Sequence, residues 1–299
     1  MNATTSLAIG HHGEILQGVF RDDSRRLHRG LVSLPFAHRF SIARVRPSSD
    51  RGMTVVPDYK KKSLAAVQVL CRELGYVGPG FELSIRSNIP EGYGLGSSTA
   101  DIVAALRAVA RFLGHRLTAR AEFRIAVEAE TASDSTMFTG PARLVCHREG
   151  TVLERYVGGL PAFSLLSVNV APDDPVDTLA FPAARYTEDE IEEFDRLRIM
   201  MRRAISKQDL SLLGEIATRS SVLNQRQLPQ PHFDEIREIA RPLKAAGVQV
   251  AHSGRMVGIM LSPKTSITDP CFISAMQQLI DLHLLPEFYS ANLCEAGKK

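Results

Sequence analysis

Pro90-Glu91-Gly92-Tyr93-Gly94-Leu95-Gly96-Ser97-Ser98-Thr99-Ala100 lies between an apolar, alternating run over residues 81–89 and a helical pattern over residues 99–113. Its three glycines at alternate positions carry no Cβ, so a ligand can approach the backbone closely. The helix that follows offers unpaired N–H groups and the positive end of its dipole. Strand, glycine loop and helix N-terminus together form an arrangement that holds phosphate. The hydroxyls of Ser97, Ser98 and Thr99 add donors for phosphate oxygens or a metal. The stretch lacks the Lys-Ser/Thr ending of a P-loop and the glycine spacing of a dinucleotide-binding turn. A glycine turn that merely caps a helix is the competing reading.

Downstream, Thr118 is a plausible N-cap for a helix over residues 119–129, supported by Glu122 in its first turn. That helix runs into Glu128-Ala129-Glu130-Thr131-Ala132-Ser133-Asp134-Ser135-Thr136. Carboxylates at a helix C-terminus face the negative end of the dipole, so a cation is expected to compensate them. Mg²⁺ with ATP would do so, and a solvated acidic turn is the alternative. Upstream, a short strand at residues 6–9 precedes Gly10-His11-His12-Gly13-Glu14-Ile15-Leu16-Gln17-Gly18. This is either a connecting turn or a polar site. His11 and His12 are not expected to share a metal, because adjacent strand residues point apart and no third ligand follows nearby. A third glycine stretch, His252-Ser253-Gly254-Arg255-Met256-Val257-Gly258, lies between strand patterns at residues 248–251 and 259–261. Arg255 there is either a phosphate ligand or a surface residue.

The pattern Pro-x-x-x-Gly-Leu-Gly-Ser-Ser-x-Ala over residues 90–100 resembles the phosphate-binding motif of the GHMP kinases, with Thr99 where many members have Ala. Ser97-Ser98-Thr99-Ala100-Asp101, the Gly-Glu-Ile-Leu-Gln-Gly piece over residues 13–18 and Ala-His-Ser-Gly over residues 251–254 are similar to the branch of that family that phosphorylates L-threonine for cobalamin synthesis. The resemblance implies an α+β, two-lobe fold. The N-terminal lobe, residues 1–171, would hold a ribosomal-protein-like left-handed βαβ unit. The C-terminal lobe, residues 172–299, would be ferredoxin-like. The turn Ala171-Pro172-Asp173-Asp174-Pro175 marks the boundary. The resemblance further implies that ATP is bound by Pro90, Gly92, Gly94, Leu95, Gly96, Ser97, Ser98 and Thr99, and Mg²⁺ by Ser98 and Glu130. Asp134 would face the acceptor hydroxyl as orienting or catalytic residue. Glu14, Gln17, Ser135, Ser253 and Gly254 would bind the acceptor, together with His12, which stands where the family often has Cys or Arg.

The remaining sequence reads as strands at residues 31–45, 53–56, 143–146, 151–156, 163–170 and 288–293. Helices are read at residues 63–74, from Thr187 onward, at 210–223, at 233–246 with a break at Pro242, and at 272–282. Residues 21–29 read as a charged loop. Lys60-Lys61-Lys62 is either the solvated start of a helix or a contact to nucleotide phosphates. At 299 residues with 44% apolar side chains, the chain can bury a sizeable core as one large domain or two lobes. A net charge of +3 is too small to point to nucleic acid. Cys71, Cys146, Cys271 and Cys294 show no metal-ligand spacing, as expected of reduced thiols in a cytoplasmic protein. No signal peptide or membrane-length apolar run is read. The resemblance thus implies an ATP- and Mg²⁺-dependent kinase of a small hydroxyl compound, L-threonine foremost, expected to act as a monomer or homodimer without nucleic acid or membrane partners. Homoserine or another hydroxyl metabolite, a diphosphomevalonate-type decarboxylase, and a non-catalytic ligand-binding protein on the same scaffold are the alternatives.

Overall fold

Two long antiparallel strands, β1 (Thr4–Arg21) and β2 (Leu27–Pro47), form the spine on which both functional halves are hung. The computed structural model describes residues 2–49, 52–174 and 185–290. β1 was expected to stop near residue 9. It instead continues through the glycine stretch, with register shifts at Ile9/Gly10, His11/Glu14 and Glu14/Leu16. Each shift re-aims the side chains that follow. Only Asp22–Arg26 turns, where the Asp22 carboxylate accepts the backbone N–H groups of Ser24 and Arg26 at 2.9 and 2.8 Å. The expected loop over residues 21–29 is therefore mostly strand.

Beyond β2 lie β4 (Phe81–Ser87) and β3 (Met53–Val56), which pair in parallel across α1 (Lys61–Glu73). Against this face pack α2 (Ser97–Phe112) and α3 (Ala119–Glu130). Ile102, Val103, Leu106 and Val109 on α2 are fully enclosed, as are Ala104, Ala105 and Ala108. Each buried large apolar side chain contributes about 1.5–3 kcal/mol, so the helix that carries the glycine loop is firmly anchored. β5 (Arg143–Cys146) and β6 (Thr151–Arg155) form a hairpin that joins β2 at Leu31.

On the other side of β1 the strands β7 (Ser164–Asn169), β8 (Gly247–Val250), β9 (Met256–Leu261) and β10 (Glu287–Tyr289) follow in the order β10-β7-β9-β8. The helices α4 (Glu188–Lys207), α5 (Leu210–Gln225) and α6 (Phe233–Ala240) connect β7 to β8, and α7 (Pro270–Asp281) connects β9 to β10. This β-α-β-β-α-β order, all antiparallel, is ferredoxin-like. Its first strand is β7, so the chain enters this unit before the boundary expected at 171/172. Among the described residues the strands form one mixed, ten-stranded sheet. α4 begins with the capping box of Thr187 and Glu190, and α6 stops two residues before Pro242, whose ring cannot continue a helix. The expected strand at residues 288–293 is the short β10, and residues 291–293 lie outside the described residues. No helix among the described residues is long and apolar enough to cross a membrane.

The two glycines Gly214 (α5) and Gly247 (β8) meet backbone to backbone. A Cβ on Gly214 would stand 2.0 Å from the carbonyl oxygen of Ala246. Gly214→Ala is therefore expected to destabilise the protein by about 1–3 kcal/mol, as overpacking does. This holds although alanine favours a helix by about 1 kcal/mol over glycine. Urea unfolding checks it, and an unchanged midpoint would mean that α5 can lift from the sheet without cost.

Candidate active site

The glycine loop enters α2 through Gly96, a left-handed N-cap with φ 72° and no side-chain cap. Gly92 and Gly94 also have positive φ, 81° and 78°, a conformation that glycine adopts without steric cost. The loop interlocks with the β8–β9 turn. A Cβ on Gly94 would stand 2.7 Å from Gly254 Cα, and one on Gly254 would stand 2.2 Å from the Tyr93 carbonyl oxygen. The His11 N–H donates to Leu95 O at 3.1 Å. The three stretches singled out in the sequence thus meet at one point.

There a cavity of about 620 Å³ opens. Gly92, Gly94, Gly96, Ser97, Ser98 and Thr99 line it, with Lys61 and Lys62 on the same flank. Lys60 also reaches the cavity, tied at 2.5 Å to both Glu91 and Asp101. The lysine run is therefore partly a fixed wall of the site and not only a solvated helix end. Glu130, Ser133 and Asp134 line the cavity from the end of α3. Thr131 takes the left-handed conformation, φ 67°, which ends α3 and turns the chain back.

Thr99 organises this corner. Its hydroxyl donates to Glu130 Oε1 at 2.9 Å and accepts the Asp134 N–H at 3.3 Å. Ser98 also hydrogen-bonds to Glu130. Burial pushes the Glu130 carboxyl up to about 7, against the Ser98 hydrogen bond and with the help of the Asp134 charge. The Glu130 carboxylate oxygens and the Ser98 hydroxyl beside them are the hard donors that Mg²⁺ takes. The residues fit such an ion.

Asp134 Oδ2 lies 2.9 Å from His11 Nε2, and His11 Nδ1 lies 3.3 Å from Glu14 Oε1. Burial works against both charges of the His11–Asp134 pair. The mutual attraction prevails, raising the imidazole to about 9 and holding the Asp134 carboxyl well below the usual carboxylate range. Glu14 is buried beneath this pair, accepting the His252 N–H at 2.6 Å and facing His252 Nδ1 at 2.9 Å. It supports the cavity wall from behind.

The other expected acceptor ligands are placed differently. His12 points away from the cavity, as its adjacency to His11 on a strand requires. Its ring is enclosed between Ser167 and Gln249, at 2.6 and 2.5 Å, and packs on Phe36. Gln17 is buried outside the cavity and donates to Val250 O at 3.4 Å. The Ser135 N–H donates to Ser33 Oγ at 3.2 Å, and Ser135 does not line the cavity. Ser253 lines it, whereas Gly254 acts through its backbone packing on the loop. Pro90 and Leu95 do not line it, and Leu95 packs on Ile89, Ala251 and Met256. Arg255 pairs with Asp174 at 2.5 Å and donates to Pro229 O, outside the cavity. Sequence reading missed His11, Arg29, His147 and Arg148, all of which line the cavity. The polar run over residues 10–18 was the only sign of His11, and the others had none.

The His11–Asp134 pair sets a pH dependence for the ligand-free protein. Raised from 6.5 to about 9, His11 contributes stability that is full below pH 6.5 and lost as pH rises through about 9. Asp134 is depressed from 3.8, so its share is present above that pH and lost as pH falls through its lower folded value. The melting temperature of the wild type should therefore exceed that of His11→Asn most between about pH 4 and 6.5, with the gap narrowing toward pH 9. A gap constant across that range would mean that the pair is not ionised in the folded protein.

Known proteins bear the same marks. Residues 60–141 match the GHMP kinases N terminal domain, and residues 201–268 match the GHMP kinases C terminal domain. The chain is 28% identical over 292 residues to an L-threonine kinase from Citrobacter freundii, covering 95% of each. It is 27% identical over 199 residues to a homoserine kinase from Desulfitobacterium hafniense, covering 64% of this chain and 66% of that one. The solved homoserine kinase of Cytophaga hutchinsonii superposes with a TM-score of 0.70 at 16% identity, over 97% of this chain and 94% of that one. The chain belongs to the GHMP kinase family. It is accordingly a phosphotransferase with the mixed α+β, two-domain fold of that family, which implies use of ATP.

Proposed function

We propose that the protein transfers the terminal phosphoryl group of ATP to the hydroxyl of L-threonine, giving O-phospho-L-threonine and ADP. The observation that carries this reading is that one cavity joins the glycine loop, the Ser98–Glu130 pair and Asp134. Gly92, Gly94 and Gly96 let the backbone of the loop close around the phosphates, and the N-terminus of α2 directs its dipole at them. Ser98 and Glu130 would hold Mg²⁺, which when bound neutralises charge on the phosphates. Lys61 and Lys62 add positive charge on that flank. Asp134 receives the acceptor hydroxyl. The hydroxyl oxygen forms its bond to phosphorus as the bond to the ADP oxygen breaks, and the hydroxyl proton leaves toward Asp134.

His11 keeps Asp134 ionised and fixes its orientation at 2.9 Å. A carboxylate so stabilised is a weak base, so its main work is to orient the hydroxyl. Phosphoryl transfer is served chiefly by positioning and charge neutralisation. Likeness to an L-threonine kinase over nearly the whole chain supports L-threonine as acceptor. Likeness to a homoserine kinase keeps L-homoserine as the second reading. On the first reading the product serves cobalamin synthesis in the cytoplasm.

ADP release with Mg²⁺-ATP across L-threonine, L-serine, L-homoserine, mevalonate and several amino sugars tests this. Saturable turnover with L-threonine alone is expected. Turnover with another member reassigns the acceptor, and ATP binding without any turnover would leave a binding protein.

A further inference from the structure

We propose that Arg29, Arg148 and His147 form the subsite that receives a carboxylate of the acceptor. The inference rests on the kinase reading above and assigns lining residues of the cavity that belong neither to the glycine loop nor to the lysine run. Pairing of β5 with β2 at Val145 and Leu31 brings the turn after β5, with His147 and Arg148, beside the start of β2, where Arg29 sits. All three side chains line the cavity.

Arg21, Arg107, Arg124 and Arg198 each hold a carboxylate. Arg29 is paired through its backbone with Val19 of β1, but among the described residues the side chains of Arg29 and Arg148 form no ion pair and no hydrogen bond. Burial opposes the charge of Arg29, and Arg148 beside it opposes it further. Two like charges brought together at a partly buried wall are costly without a counter-ion. A guanidinium pair is suited to the planar, two-oxygen geometry of a carboxylate.

His147 supplies the second, independent sign of a ligand. It is buried, lines the cavity, and its Nδ1 has no hydrogen-bond partner. Buried polar atoms are seldom left so. Burial, then His252 and the two arginines, push this imidazole down to about 3. It therefore offers a hydrogen bond and no further charge. Its carbonyl accepts the Ser133 N–H at 2.9 Å, so the subsite is tied to the loop that presents Asp134. An acceptor held by its carboxylate here would have its position relative to Asp134 set by that same loop.

The test uses the full chain with Mg²⁺-ATP and two acceptors, L-threonine and L-threoninamide, which keeps the hydroxyl and the amine but lacks the carboxylate. Arg148 lies on an exposed turn, so Arg148→Met is expected to fold as the wild type does, and Arg29→Met is a second variant. Wild type should prefer the acid strongly. Arg148→Met should raise KM for L-threonine by about 10–100-fold, the range for losing a charged hydrogen-bonding partner. Little change is expected in kcat, in KM for ATP, or in turnover of the amide. Arg148→Lys should restore part of the preference. Equal losses with acid and amide, a rise in KM for ATP in place of the acceptor, or an unchanged preference would each overturn the subsite while L-threonine stays the acceptor. If wild type turns over L-homoserine and not L-threonine, the functional reading fails. The subsite then stands or falls on the same acid-to-amide comparison with L-homoserine. Turnover confined to uncharged acceptors overturns it outright.

Discussion

Asp134→Ala is expected to lower kcat by about 10²–10⁴-fold, the range for losing a group that acts on a proton or orients it in the transition state. ATP binding should persist, because removing the Asp134 charge only relieves its repulsion of Glu130 and leaves the glycine loop and the Ser98–Glu130 contact in place. Thr99 contacts only the Asp134 backbone N–H, which alanine keeps. The variant does leave His11 without its partner at 2.9 Å. Only Glu14 and the Gly13 carbonyl then hold the imidazolium against burial, so His11 should give up its proton at a lower pH than in the wild type. Asp134→Asn separates the two roles, since an amide fills the same space and can still hydrogen-bond to His11 and to a hydroxyl. If orientation is the main work, Asn should retain clearly more turnover than Ala. If the carboxylate accepts the proton, both should fall together. Single-turnover phosphorylation and calorimetric ATP binding decide this, and near-normal turnover in Asp134→Ala would remove Asp134 from the chemistry.

The parts of the site that were legible in the sequence are those written in local chain geometry. The glycine loop is a strand, a turn and a helix start in direct succession, and Glu130 and Asp134 sit at one helix end. Short-range patterns of this kind can be read because strand, turn and helix start are set by neighbouring residues, and the distant contacts of the loop pack against that geometry without redirecting it. β1 shows the opposite case. Glu14, Gln17 and His12 were read as one acceptor-binding group, but the register shifts at His11/Glu14 and Glu14/Leu16 decide which way each faces. A one-residue slip in a strand exchanges its faces, and nothing in residues 10–18 announces where the slips fall. Hence His11 took the place in the cavity that was expected of His12. Arg29 and Arg148 were illegible for another reason. Their meeting depends on one strand pairing between distant parts of the chain. The start of the ferredoxin-like unit at β7 was hidden likewise. A strong turn at residues 171–174 marks a break in the chain path, but sheet order decides which strands belong together.

Gly96→Ala should be about as damaging as Asp134→Ala, though it removes no chemical group. Two costs coincide there. The backbone has φ 72°, where alanine is strained. A Cβ would also stand 2.4 Å from His11 Cδ2 and 3.0 Å from Asp134 Oδ2. Neither neighbour can yield freely, since His11 is held by its own backbone bond to Leu95 and by Glu14 beneath it. The added methyl must therefore displace the His11–Asp134 pair, shift the N-terminus of α2, or do both. A displacement of about 1 Å of positioned groups can cost about 10²-fold in rate, and a shifted helix start also weakens the phosphate cradle. The expected result is a fall in kcat together with a rise in KM for ATP, with a loss of about 1–3 kcal/mol of stability from strain and overpacking. Gly114→Ala is the control, because Gly114 also has positive φ, 79°, but meets nothing within 4 Å. It should cost stability from strain while leaving both kinetic constants unchanged. If Gly96→Ala behaved like Gly114→Ala, contact between the loop and His11 would play no part in turnover.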